Sequence, residues 1–361
     1  MSTLPSIKPA PKRSTLLDVA RACGLSKAAV SQALNWSAER STLKAETREL
    51  ILSKARELGY TASWTARSLS NQATKQVGLL FHYSMPETRG IYGDIVPALT
   101  ATLESRGYHL LFVPLHGEGW RQTLRDNRFD ACVVNDVDPS ISLAATRAVG
   151  LPTVLLNNVS SDLGVSSVIP DDAAGTRLAV EHLIALGHRR IAYLRMGNGG
   201  IVPHFSVAVR RDAYAAAMRD AGLGEHVLAA DEPMDQFLDR VPIGADGYTA
   251  IILYSHTEGV CILPLLHKRG IRCPQDVSLV CFNDTFPMSN LVPAFTTVSV
   301  PAQEIGRVGG ELLLELLDPA GGRSSRQVVL PETLVVREST APPRLVSRDT
   351  LVRPDSDIDL T

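Results

Sequence analysis

From residue 77 to residue 340 short apolar runs alternate with longer amphipathic stretches. Strand-like runs fall at 77–81, 109–114, 131–134, 153–156, 191–194, 250–254 and 278–282. Helix-like stretches, such as 94–106, 173–186, 208–221 and 259–269, lie between several of them. Two parallel strands need a crossover of about a dozen residues, usually a helix, so this alternation implies parallel sheets with helices on both faces. The length is large for one open sheet and predicts an α/β body of two doubly wound lobes.

Ahead of this body the pattern changes. Thr15 to Asn35 reads as two short amphipathic helices joined at Gly24, with Leu17, Ala20, Leu25 and Val30 as the buried contacts. Thr15 caps the first helix and places Asp18 in its first turn, where a negative charge meets the positive end of the helix dipole. Gly24 supplies a permissive backbone for the turn, and Ser26 caps the second helix. That second helix presents Lys27, Ala28, Ser31 and Gln32 outward. Small hydrogen-bonding side chains near a helix N-terminus suit entry into a DNA major groove. A third helix covers 47–58 and stops at Gly59, and 60–69 is helix-capable. The head is thus an all-α helix-turn-helix domain over 15–60, followed by a hinge helix and linker over 61–76. Residues 1–14, rich in Pro, Ser and Lys, read as a disordered basic tail, and 341–361 as a flexible one.

Charge is segregated along the chain. Residues 1–76 carry 12 Lys/Arg against 5 Asp/Glu, whereas the remainder carries 24 against 33, so a net charge of −2 hides a basic head on an acidic body. Such a head neutralises phosphates and releases counterions; the acidic body is repelled by DNA. No apolar run is long enough to span a membrane, and the N-terminus lacks a signal peptide's apolar core, which points to the cytoplasm. The five cysteines, Cys23, Cys132, Cys261, Cys273 and Cys281, form no Cys-x-x-Cys pair and read as reduced, mostly buried thiols. No Gly-x-Ser-x-Gly elbow, phosphate loop or His-Glu-x-x-His appears, so the sequence supplies no catalytic, metal or cofactor motif. A solute-binding protein for transport would share the lobes but has no use for a basic head.

Taken in order, Asp18-Val19-Ala20, Gly24-Leu25-Ser26, Val30-Ser31, Leu34-Asn35, Thr47-Arg48, Leu58-Gly59-Tyr60 and Ala66-Arg67-Ser68-Leu69 resemble the head of the lactose-repressor (LacI/GalR) family of bacterial transcription regulators. In the body, Gly175 to Ala179, Leu186 to Ile191 and Thr296-Thr297-Val298 resemble the same family at its spacing. The resemblance implies a periplasmic-binding-protein-like body over 77–340, with an N-lobe of about 77–170 and 298–325 and a C-lobe of about 171–297 and 326–340. It implies a homodimer that reads a pseudo-palindromic double-stranded operator, a small-molecule effector between the lobes, and no cofactor. Carried over by position, Lys27, Ala28 and Gln32 face base edges, while Thr15, Leu16, Ser26, Ser31, Asn35, Thr47 and Tyr60 hold phosphates. Ser63, Arg67 and Leu69 belong to the minor-groove hinge, with Leu69 as its apolar wedge.

The chain also departs from the family pattern. Ala62-Ser63 stands where Pro-Asn is usual, and about three extra residues lie between Asn35 and Thr47. The cleft replaces an expected Asn-Asp pair by Ser255-His256, an Asp by Asn283, and an aromatic platform by Glu232-Pro233-Met234. The effector set implied is His82, Tyr83, Tyr92, Asn158, Asp171, Ser206, Arg210, Ser255, Phe282 and Asn283, with a sugar-like metabolite as the first class of ligand.

Overall fold

The computed structural model describes residues 14–36, 41–61, 68, 73–82, 90–135, 138–159, 164–196, 204–230, 232–318, 320 and 324–344. The chain forms two compact units, residues 1–76 with 127–130 and residues 77–126 with 131–361.

The first unit is built on α1 (Leu16–Cys23), α2 (Lys27–Asn35) and α3 (Ala45–Glu57). Thr15 and Asp18 form a reciprocal capping box, in which the Asp18 N–H donates to Thr15 Oγ1 at 3.3 Å and the Thr15 N–H to Asp18 Oδ2 at 2.9 Å. Gly24 ends α1 at φ 67°, a left-handed conformation that a side chain would disfavour. Val19, Ala20, Val30, Ala33, Ile51 and Ala55 form the core. Leu17 is only half-buried; the inward position of α1 is taken by Val19. The Ser14 hydroxyl donates to the Leu58 carbonyl at 2.6 Å, so Ser14 belongs to this domain and not to the expected tail.

In the second unit, β1 (Gln76–Phe81), β2 (His109–Pro114), β3 (Ala131–Asn135), β4 (Thr153–Leu156), β5 (Ser166–Pro170) and β11 (Gln327–Leu330) form one sheet in the order β11-β5-β4-β3-β1-β2. A second sheet, ordered β12-β10-β9-β8-β6-β7, contains β6 (Ile191–Met196), β7 (Val227–Ala230), β8 (Ala250–Leu253), β9 (Ser278–Phe282), β10 (Thr296–Ser299) and β12 (Thr333–Val335). β1 with β3, β3 with β4, β4 with β5, β5 with β11, β6 with β7 and β8, β8 with β9 and β9 with β10 pair in parallel, and β10 with β12 antiparallel. Between the strands lie α4 (Tyr92–Glu104), α5 (Gly119–Arg125), α6 (Ser140–Ala148), α7 (Asp172–Ala185), α8 (Phe205–Asp220), α9 (Met234–Leu238), α10 (His256–Lys268) and α11 (Ala302–Leu317). Helices α4 and α11 pack with β1, β3, β4 and β5 around Leu79, Leu99, Val133, Leu156 and Ile305. The second sheet is covered on one face by α7 and α8 and on the other by α9 and α10.

The chain crosses between the two sheets three times, after β5, after β10 and between β11 and β12. This corrects two expected boundaries. Thr296–Ser299 stays in the second sheet, and 327–330 returns to the first, pairing Val328 with Val168 and Leu330 with Pro170, so only 333 onward lies in the C-lobe. Residues 341–344, expected to open a flexible tail, belong to the folded body. Ala341 donates its N–H to Ser278 Oγ at 3.0 Å, and its carbonyl accepts from that hydroxyl and from His188 Nε2, both at 2.9 Å. His188 is thereby a satisfied core histidine, with Nδ1 2.9 Å from Thr249 Oγ1. Residues 345–361 lie outside the described residues. The five cysteines are free thiols; Cys132 and Cys281 are buried, Cys23 and Cys273 half-buried and Cys261 exposed, so burial is less general than expected.

Candidate functional site

Two sets of residues carry the candidate chemistry. In the first unit Lys27 and Ala28 stand exposed on the first turn of α2, next to the Ser26 cap, whose Oγ accepts from the Ala29 N–H at 3.2 Å. No acidic residue lies in that turn, so the positive end of the helix is left uncompensated by its own sequence. Gln32 is half-buried and donates through Nε2 to Thr42 Oγ1 at 2.8 Å. One turn further, Asn35 Nδ2 donates to Ser31 Oγ at 3.1 Å. Thr15, Leu16 and Thr47 sit at the N-terminal ends of α1 and α3, where orphaned backbone N–H groups suit phosphate. Tyr60 packs on the small core and donates its N–H to the Ala55 carbonyl at 2.8 Å. Ser63, Arg67 and Leu69 lie outside the described residues, as do 37–40 of the variable loop. Thr42 is a residue that the sequence reading missed, because a hydroxyl ten positions away in a loop has no periodic relation to Gln32.

The second set gathers where the chain crosses between the sheets. Arg210, near the start of α8, is only 5 % exposed, so its charge depends on protein partners. Its Nε donates to Asp172 Oδ1 at 2.5 Å and its Nη1 to the Tyr254 carbonyl at 2.8 Å. The guanidinium lies 3.9 Å from the ring centroid of Phe282, and Nη2 is 3.9 Å from Glu332 Oε1. Burial works against the charge of Arg210, but the carboxylate of Asp172, foremost among the groups that favour it, holds its pKa above the ordinary arginine value. Asp171, implied as an effector residue, caps α7, accepting from the Ala174 N–H at 3.0 Å.

A directed hydrogen-bond chain runs from this cluster to the first lobe. The Tyr254 hydroxyl and Ser206 Oγ are 3.0 Å apart, Ser206 Oγ is 2.8 Å from His204 Nδ1, and His204 Nε2 bonds the carbonyl of Asn157. Burial lowers the pKa of His204 to about 4, so the ring is neutral and the tautomer with a proton on Nε2 fits both partners. Asn157, at φ 51° beyond β4, extends the chain by donating from Nδ2 to the Tyr92 hydroxyl at 3.2 Å. The neighbouring Asn158, expected at the site, is buried and accepts locally from the Val159 N–H at 2.8 Å.

At the other end of the cleft Asn283, at φ 72°, donates from Nδ2 to His256 Nδ1 at 3.3 Å, and its buried Oδ1 has no partner among the described residues. Burial lowers the pKa of His256, which favours the neutral acceptor. Ser255 caps α10, accepting from the Thr257 N–H at 3.2 Å and donating to Glu258. A cavity of about 590 Å³ adjoins this end, lined by Gly90, Asp94, His256, Thr257, Thr285 and Phe286 among others. His82 is half-buried at the end of β1, and Tyr83 lies outside the described residues. The structure thus brings Arg210, Ser206, Phe282 and Tyr92 into one linked network and adds Asp172, Asn157, His204, Tyr254 and Glu332, with Asp171 and Asn158 next to it in sequence.

Among the described residues no helix is long and apolar enough to cross a membrane. No cluster of His, Cys, Asp and Glu among them is arranged to hold a metal ion.

Residues 15–63 match the model of bacterial regulatory proteins of the lacI family, and residues 180–340 match the periplasmic binding protein-like domain. The chain is 29 % identical over 357 residues to the HTH-type transcriptional regulator GalR of Escherichia coli (strain K12), covering 92 % of this chain and 97 % of that protein. It is 27 % identical over 338 residues to the ribose operon repressor of Haemophilus influenzae, covering 90 % and 98 %. A crystal structure of the Lac repressor dimer bound to operator and the anti-inducer ONPF superposes with a TM-score of 0.75 at 24 % identity, covering 91 % of this chain and all of that one. A lacI-type head on a body of two mainly parallel sheets, with relatives that span both, makes this chain a member of the LacI/GalR family of DNA-binding transcriptional regulators.

Proposed function

We propose that the chain acts as a homodimeric repressor whose hold on a pseudo-palindromic operator is switched by a small hydroxyl-rich effector bound between the lobes. Lys27, Ala28 and Gln32 read base edges: Lys donates to guanine O6 and N7, Gln pairs in a bidentate manner with adenine, and Ala offers a methyl contact to thymine. Thr15, Leu16, Ser26, Ser31, Asn35, Thr47 and Tyr60 place the head on phosphates, and Ser63, Arg67 and Leu69 form the minor-groove element. The observation that carries the effector reading is Arg210, a buried guanidinium at the crossings between the sheets and linked through Tyr254, Ser206 and His204 to Asn157 of the other lobe. A ligand that binds here alters how the two lobes are joined, which is the way a small molecule biases one arrangement over another.

The chemistry favours an uncharged ligand. Asp172 already compensates Arg210, and the neutral imidazoles of His204 and His256 add no positive charge. An anion entering this cleft meets no cation that is not already paired among these residues, whereas hydroxyls match amide, hydroxyl and imidazole groups that donate and accept in pairs. A relative named for the ribose operon fits that class. A thermal-shift screen of neutral sugars and polyols against sugar acids and phosphates tests the reading, since a ligand of the native fold raises apparent stability. Neutral sugars are expected to raise Tm for the wild type and to lose that effect in Arg210→Ala; a response confined to anions overturns it.

A further inference from the structure

We propose that Glu332 is a protonated hinge residue that positions Arg210 and couples the arrangement of the lobes to the binding of a proton. Glu332 lies between β11 of the first sheet and β12 of the second, within one of the three crossings. Asp172 follows another of them, directly after β5 and Asp171. Two carboxyls from two crossings therefore converge on one arginine, and their side chains are wholly shielded from solvent.

The environment of Glu332 is closed. A Cβ at Gly175 of α7 would lie 1.8 Å from Glu332 Oε2 and 2.9 Å from Val298 Cγ1, so the carboxyl occupies a cradle that only glycine leaves open. Arg210 faces it from α8 at 3.9 Å, beyond hydrogen-bond distance; Asp172 and Asp171 are the acidic groups of α7 that act on it; β10 offers the apolar Val298. Among the described residues neither oxygen of Glu332 has a hydrogen-bond partner, and Asp172 Oδ2 has none either. One guanidinium cannot neutralise two buried carboxylates, and an uncompensated buried charge is costly enough that the group takes up a proton instead. Burial raises the pKa of Asp172 as well, but the close charge-assisted bond from Arg210 belongs to Asp172 and pulls it back, which leaves the proton to Glu332. Burial, with the nearby Asp172 and Asp171, raises the Glu332 pKa to about 8 against the pull of Arg210. A movement of the lobes turns the backbone at 331–332 and so alters the cradle, and whatever changes the affinity for the proton is in turn driven by it.

No effector is needed to test this; full-length protein and Glu332→Gln suffice. A carboxyl whose folded pKa is raised contributes stability that is complete below its unfolded value near 4.5 and is lost as the pH rises through about 8. The Tm of the wild type should therefore fall relative to Glu332→Gln by several degrees across that window, and the difference should stay constant above it. Small-angle X-ray scattering below and above about pH 8 should show a change of overall dimensions in the wild type and none in the variant. Parallel Tm profiles would show that Glu332 holds no proton, and divergent profiles without a scattering change would uncouple the proton from the lobes. Should the variant fail to fold, infrared spectra decide, taken on Glu258→Gln protein carrying 13C-labelled glutamate because burial also raises the pKa of Glu258 and Asp172: a labelled protonated-carboxyl C=O stretch that disappears as the pH rises through about 8 supports the assignment, and its absence at neutral pH overturns it.

Discussion

Gln32 illustrates how much of a site depends on a neighbour that sequence spacing does not reveal. A glutamine that reads adenine must present oxygen and nitrogen together, and the bond from Nε2 to Thr42 fixes the amide plane before any base arrives. Gln32→Ala should cost about 1–3 kcal/mol at one symmetric pair of operator positions. Thr42→Val should weaken the same preference less and leave other positions alone, as read by selection from randomised duplexes; a preference altered elsewhere would assign Thr42 another role. The cleft teaches the same lesson at one-residue resolution. Asp171 and Asp172, or Asn157 and Asn158, are chemically equivalent choices in the sequence. The backbone decides which of each pair joins the network: Asp171 caps α7 while Asp172 meets Arg210, and Asn157 at φ 51° turns its carbonyl and amide toward His204 and Tyr92. Adjacent loop residues point in different directions, and composition holds no record of which one faces the cleft.

Elements were legible in proportion to their apolar contrast. All seven strand-like runs are strands, and the helices at 94–106, 173–186, 208–221 and 259–269 are present with ends shifted by a few residues. The strands that escaped notice include β11 and β12, which lie at sheet edges, keep exposed or half-exposed side chains and are four and three residues long. Their crossing at Pro331-Glu332 interrupts neither the polarity nor the spacing of the run, which is why 326–340 reads as one piece. The contact of α4 with α11 was also hidden, because glycines give no apolar signal. A Cβ at Gly306 would come within 2.2 Å of the Ile95 carbonyl oxygen, and one at Gly310 within 2.8 Å of Thr102 Cγ2. Backbone cannot yield as a side-chain tip can, so Gly306→Ala should destabilise the body by about 1–3 kcal/mol despite the better helix propensity of alanine. Calorimetry checks this, and an unchanged or raised Tm would mean that the two helices are free to separate.

At the scale of the whole molecule, the basic 1–76 and the acidic remainder divide the work before any contact is made. The long-range field of the head attracts a polyanion, and the net charge of −9 on the rest opposes any approach by the wrong surface, so orientation is selected during encounter. The affinity for DNA should then follow counterion release, with log K falling linearly against log salt at a slope of about −0.9 per phosphate neutralised and about six to ten phosphates per dimer. A fragment starting at Val77 retains both sheets and their cores but none of the helix-turn-helix residues. It should stay folded, keep the thermal response to a neutral sugar shown by the full chain, and bind no duplex at low salt, where electrostatic attraction is strongest. The two measurements separate the causes of a shallow slope. A shallow slope with a silent fragment would mean that the head makes fewer phosphate contacts than its charge allows, whereas a fragment that itself holds DNA would move the reading surface onto the acidic body and remove the electrostatic division from which this prediction follows.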